Sequence, residues 1–441
     1  MKLVMRSVLL ALPLSVVLAS CAAGPPVLSE EEKAARITIN PFQDNMTPDP
    51  TLAAAPVALP AAVPVVSWLQ SGENSAKAPG NVEAAPEFRE AWRSNVGEGS
   101  GEIKRLVGAP VVKDGRIYTI DSAQKVSAFD ASNGRKIWDV QLKSANAHWD
   151  EFSIGGGLAI TGDKLIVASG FGFAAALKLS DGSEIWRRTV ESPLSSSPAV
   201  MGNRAFLTST NNDFYSIDTD TGEIVWNDQA LSETARILSS PSPAVTQDIL
   251  AVGYSSGELI AYLPANGRRL WTDTLTSTGR YTPLSAINDI AGKPTIQDGI
   301  VYAASHSGVL TAIDARSGAR IWSRTFGSRQ GPVVSGDYLF AVGTGGVVAC
   351  FNKIDGKLAW KRELPEFKDG NRENRIVWTG PLIASGRLVV VSSEGDVLAL
   401  SAQNGDTVSE LKLGQSIFIE PIAAAGKIFI LTDQANLVAI K

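Results

Sequence analysis

The chain is expected to be all-β, an eight-bladed β-propeller of four-stranded antiparallel blades closed by pairing an N-terminal strand with the C-terminal blade. Three observations predict it. Turn glycines recur at 134, 182, 222, 267, 318, 356 and 405, spaced 38 to 51 residues apart, the length of one four-stranded blade. Four residues after each of the first six stands a tryptophan, Trp138, Trp186, Trp226, Trp271, Trp322 and Trp360, whereas Ser409 follows Gly405. Between these marks run apolar stretches of four to six residues bounded by Asp, Asn, Ser and Gly, and none keeps a helical period for long.

Within one repeat, such as Arg116 to Trp138, two apolar strands meet at a short polar turn, and a second turn carries the glycine before the strand with the tryptophan. Glycine takes the positive φ that the turn needs, and an indole at fixed distance can wedge between neighbouring sheets. A single sheet cannot bury both its faces. Stacked radially, each blade covers the next.

The ends give the blade count. The last repeat stops at Ala439-Ile440-Lys441, before its fourth strand, while Phe88 to Arg93, with Trp92, has the look of a fourth strand with no first three before it. Pairing the two yields seven full units and one composite, and removes open sheet edges. Seven blades with a disordered end is the rival arrangement. The seven tryptophans, Trp92 included, are the candidate inter-blade residues.

Ahead of the repeats, Lys2 and Arg6 precede an apolar stretch from Val8 to Ala19, too short for the roughly 20 residues that span a bilayer. Residues 1–20 read as an export signal. Leu18-Ala19-Ser20-Cys21 resembles the bacterial lipoprotein signal, which makes Cys21 the lipidation site; Ala22 and Ala23 after it point to the outer membrane, periplasmic face. Residues 21–66 form an Ala/Pro-rich linker, whose Thr47–Val66 stretch in polyproline II would hold the body ~60 Å from its lipid. The propeller domain takes 67–441.

Composition excludes several functions. The chain has 441 residues, 40 basic and 45 acidic, a formal charge of −5, two cysteines and two histidines. That charge offers no grip on nucleic acid. Cys21 and Cys350 are too few and too far apart for a Cys-rich metal site, and Cys350, mid-strand in an apolar run, reads as buried packing. His148 and His306 lie in different repeats without companion ligands. No catalytic residue, metal or cofactor is expected. The charged stretch 366–375 reads as a solvated loop.

The repeat Ala-x-Asp-x-x-[Thr/Ser/Asn]-Gly-x-x-x-Trp resembles that of the quinoprotein (PQQ-type) propellers. With a lipoprotein signal and no attached enzyme domain, the chain is similar to the BamB family of outer-membrane β-barrel assembly lipoproteins. That resemblance implies a non-catalytic scaffold, monomeric within its complex, that binds the periplasmic POTRA domains of BamA, accompanies other BAM subunits and assists insertion of outer-membrane proteins, with unfolded clients as further partners. It places the contact on two loops of one face, which here contain Arg236, Ile237 and Leu238, then Asp289 and Ile290; the pattern departs from the family's, with the Arg ahead of the apolar pair and one Asp in place of two. Both loops are also the long ones, Asp228 to Ser240 and Thr272 to Lys293, and long loops in compact repeats carry function. Ile237 and Leu238 could equally begin the next innermost strand and face the core. Two other functions fit the same ring. One is a dehydrogenase holding a calcium-bound quinone in the axial channel, which lacks support here because no adjacent-Cys pair is present; the other is a scaffold for a different envelope complex.

Overall fold

In the computed structural model, residues 46–144, 153–233, 237, 241–276 and 287–441 are described. They form an all-β body of eight four-stranded antiparallel sheets, the architecture of an eight-bladed propeller. Blades 1 to 7 are continuous in sequence: 111–141, 156–189, 199–229, 244–274, 295–325, 333–363 and 378–412. Blade 8 is composite. Ile422–Ala424, Lys427–Leu431 and Asn436–Ile440 supply three strands, and Glu90–Asn95 pairs antiparallel with the last, Trp92 opposite Ala439 and Asn95 opposite Asn436.

Strand burial follows position in the blade. The second and third strands are covered on both faces by neighbouring blades, so they read as continuous apolar runs; Leu165, Ile166 and Val167 are all fully buried. The fourth strands alternate, as in Lys136–Gln141, because one of their faces meets water.

Blade contacts repeat one device. Each turn glycine has φ between +66° and +77°, and a Cβ there would lie 2.4–2.8 Å from the indole of the preceding blade: Gly182 under Trp138, Gly222 under Trp186, Gly267 under Trp226, Gly318 under Trp271, Gly356 under Trp322 and Gly405 under Trp360. The indole N–H of the same tryptophan donates to the carbonyl three residues before that glycine, for example Trp186 to Thr219 at 2.9 Å and Trp271 to Ala315 at 2.8 Å. Trp92 of blade 8 likewise covers Gly134 of blade 1, where a Cβ would meet the ring at 2.5 Å, but its indole N–H has no hydrogen-bond partner and the cross-blade bond comes instead from Ser94, which donates to the Gly134 carbonyl at 2.6 Å. Blade 8 has no hairpin between its third and fourth strands, since these come from distant parts of the chain. Blade 7 therefore has no turn glycine to cover, and Ser409 occupies the place of the indole.

Two features depart from the sequence reading. Residues 46–66 do not stand off as a spacer. The Asp49 N–H donates to Leu358 in blade 6, a short helix Pro50–Ala53 follows, and Val57 is buried with Val333 and Phe340. Apolar Val57 and Leu59 gain more from covering blade faces than proline stiffness gains from extension in water. Next, Val63–Pro64 pairs with Val82–Glu83, which extends blade 7 inward to six strands. The reach assigned to Thr47–Val66 is accordingly absent. The segment 1–45, with Cys21, lies outside the described residues.

Substituting Gly222→Ala should cost about 2–4 kcal/mol in urea unfolding, from the left-handed φ and the Trp186 ring together. Ser409→Trp should add no stability, because no glycine turn lies opposite.

Candidate functional site: the loop face

The connections from each fourth strand to the next first strand gather at one end of the ring axis. There they surround a bowl of about 260 Å3 to which connections between all the blades contribute except that between blades 1 and 2, with Ser71 also in its lining. Its polar side chains include Arg105, Lys293, Arg329, Glu420 and Asp433, and Phe418, in the connection from blade 7 to blade 8, stands at 42% exposure. Lys293, before blade 5, forms an ion pair with Glu420, before blade 8; its side chain is 7% exposed, so the pair is largely shielded from water.

The two long connections named from the sequence meet. The backbone N–H of Ile237 donates to the Asp289 carboxylate at 2.7 Å, joining the connection between blades 3 and 4 to that between blades 4 and 5. The Asp289 carbonyl accepts the His306 N–H at 2.9 Å. Burial pulls the Arg329 guanidinium below its ordinary pKa, and the Asp289 charge opposes that shift. Burial, helped by Arg329, lowers His306 to about 4. A carboxylate and a backbone donor thus hold two connections in one arrangement.

Individual residues fall as follows. Ile237 is half-buried and retains a surface. Arg236 and Leu238 lie outside the described residues, as do His148, Trp149 and Asp150. Asp289 is only 5% exposed, so its carboxylate faces inward to the neighbouring loop. Ile290 is a correction. It is completely buried, and a Cβ on Gly253 would strike its Cγ2 at 2.4 Å, so it fills the space that glycine leaves and offers nothing to a partner. Leu231, in the same connection as Ile237, is 67% exposed and was not singled out; its only sequence signal is its place just past a fourth strand. The stretch 366–375 forms a projecting turn in which Arg375 pairs with Glu366 at 2.6 Å and covers the Phe367 ring. Cys350 is fully buried, and burial pushes its thiol pKa up.

Asp289→Ala should cost about 1–3 kcal/mol in urea unfolding by orphaning the Ile237 N–H, with Asp289→Asn costing less. His306 gives a pH dependence. Unfolded, it binds a proton below pH 6.5; folded, only near 4. Its contribution to stability is therefore complete above 6.5 and is lost as pH falls toward 4. Thermal melts of His306→Gln should show a shallower decline across that window than the native chain.

The family profile described as "Outer membrane protein assembly factor BamB" matches residues 89–149, 122–362 and 344–441. The protein of that name from Salmonella typhimurium is 28% identical over 352 residues, covering 79% of this chain and 88% of the relative. The Escherichia coli K12 protein of the same name is 26% identical over 353 residues with the same coverage. Among solved structures, BamB from Moraxella catarrhalis superposes with a TM-score of 0.68 at 16% identity, over 80% of this chain and 99% of that one. A europium-containing methanol dehydrogenase also reaches 0.68 at 14% identity, over 86% of this chain and 90% of that one, a likeness of fold alone. With its profile matched across the whole blade region, the chain belongs to the BamB family of outer membrane protein assembly factors.

Proposed function

We propose that this protein is a non-catalytic scaffold of the outer-membrane β-barrel assembly complex. In this reading it is held at the periplasmic face of the outer membrane by lipid on Cys21 after removal of residues 1–20. The ring is closed by the pairing of Glu90–Asn95 with the last blade. Its partner surface is the loop face, engaging the POTRA domains of BamA through Ile237 and its flanking residues Arg236 and Leu238, with Asp289 as the residue that fixes them. No helix among the described residues is long and apolar enough to cross a membrane, so attachment through a lipid suits the body.

The observation that carries this reading is the Ile237–Asp289 bond. Two long connections from neighbouring blades are tied together by a buried carboxylate, which presents a half-buried isoleucine at a preset position. Preset loops bind with less ordering cost, and an apolar anchor beside charged residues is the usual centre of an interface. The axial space where quinoprotein rings hold their cofactor is crossed here by the chain's own residues 68–77, which favours a scaffold over a dehydrogenase.

Ile237→Ser should reduce capture of BamA from detergent-solubilised membranes about tenfold, a loss of roughly 1.4 kcal/mol, while the melting temperature stays within about 1 °C. Unchanged capture would remove Ile237 from the interface, and a large drop in melting temperature would place it in the core.

A further inference from the structure

The segment between the short helix and the composite strand, residues 57–85, follows the inside of the ring. Its acceptors meet the blades almost in ring order. Val112 of blade 1 donates its N–H to the Trp68 carbonyl at 2.8 Å, Ile160 of blade 2 to Leu69 at 2.7 Å, Val245 of blade 4 to Ser75 at 2.7 Å and Ile296 of blade 5 to Ala76 at 2.9 Å. In blade 3 the Gln70 carboxamide takes the part of a peptide group, accepting from the Val200 N–H at 2.9 Å and donating to its carbonyl at 3.2 Å. These five donors occupy the same place in five successive innermost strands, two residues before the turn. Ser385 of blade 7 donates to Val82, and Ala425 of blade 8 to Val65, both at 2.7 Å. Blade 6 is met by packing, its Gly336 lying under Pro60, where a Cβ would come within 2.9 Å.

The segment is shaped for this path. Gly72 and Gly80 take left-handed φ of 72° and 68°, and so do Glu73 and Lys77. Asn74 closes the bend by accepting from the Ala78 N–H at 3.1 Å and donating to its carbonyl at 3.0 Å. Lys77 is wholly buried, with its ammonium on Gln70 at 3.1 Å, and its Cδ and the Cε of Lys293 both lie about 3 Å from the Cβ position of Gly72. Left-handed φ at non-glycine residues and a buried lysine each cost stability, so the surrounding contacts must hold them in place.

We propose that the axial channel is a peptide-binding site, specific for a segment that presents backbone carbonyls around its wall, and that the chain fills it with its own residues 57–85 once the ring has formed. The partners of this segment run from Val112 to Gly426 in sequence and come together only in the assembled ring. The innermost strands of an empty ring would present a circle of unpaired N–H groups, all aimed inward, which is the recognition surface of strand addition.

Hydrogen exchange by mass spectrometry on the full chain tests this. In Gln70→Ala, exchange should accelerate together, by at least about tenfold, at Val112, Ile160, Val200, Val245, Ile296, Ser385 and Ala425, while Leu165, Ile166 and Val167 of a second strand stay within about twofold. Acceleration at Val200 alone, or equal acceleration in the second strands, would overturn the proposal. The native chain in sub-denaturing urea supplies a second reading that needs no variant. The seven amides should share one opening rate, at least about tenfold faster than the second strands; opening blade by blade would contradict a single docked segment.

Discussion

The structure depends on a glycine lying flat beneath an indole. A side chain at that glycine would occupy the volume of the ring, and the left-handed φ would strain it as well, so the residue type and the contact determine each other. Each such seam joins two sheets that cannot bury their faces alone, and in the six seams between continuous blades the indole N–H adds a directed bond to the next blade's backbone, a part taken by Ser94 beside Trp92. The ring is then a series of near-identical joints. Where the joint is missing, between blades 7 and 8, both of its halves are missing together: the turn and the tryptophan. In its stead Arg93 of the composite strand reaches the Leu413 carbonyl and Gln415.

Because the seams lie along the third-to-fourth-strand turns, they make no demand on the connections at the other end of the axis. Those connections vary in length and composition without affecting the joints, and this is where the two long ones are tied through Asp289. The seams and the long, tied connections therefore occupy opposite ends of the same repeat. Lys293–Glu420 shows the same economy: an ion pair largely shielded from water at the axis, where a lone charge would be costly, fixes two connections and leaves Phe418 exposed.

The all-β class and the eight sheets were legible because the signal is periodic: glycine, four residues, tryptophan, repeated at blade length. The composite strand was legible because Trp92 carries the same mark. The axial segment was not. Most of its contacts are made by backbone carbonyls that any residue possesses, and the alanines and prolines of 53–64 look the same in a spacer as against a blade. Ile290 was misjudged for a related reason. Whether an apolar residue at the end of a long connection is exposed depends on what lies across from it, here Gly253, and no local pattern reports that. Asp289 stood out by residue type, but its inward direction toward Ile237 belongs to the tertiary structure.

The central claim, a ring of repeated glycine–indole seams completed by the composite blade, is tested most directly by the exchange rates of the Trp92 to Asn95 amides. The account predicts that those bonded to the last strand are as protected as the matching amides of Lys136–Gln141 and Glu184–Thr189, which lie within continuous blades. Exchange at the rate of a free chain would mean that Glu90–Asn95 does not hold the ring, and the account would fail.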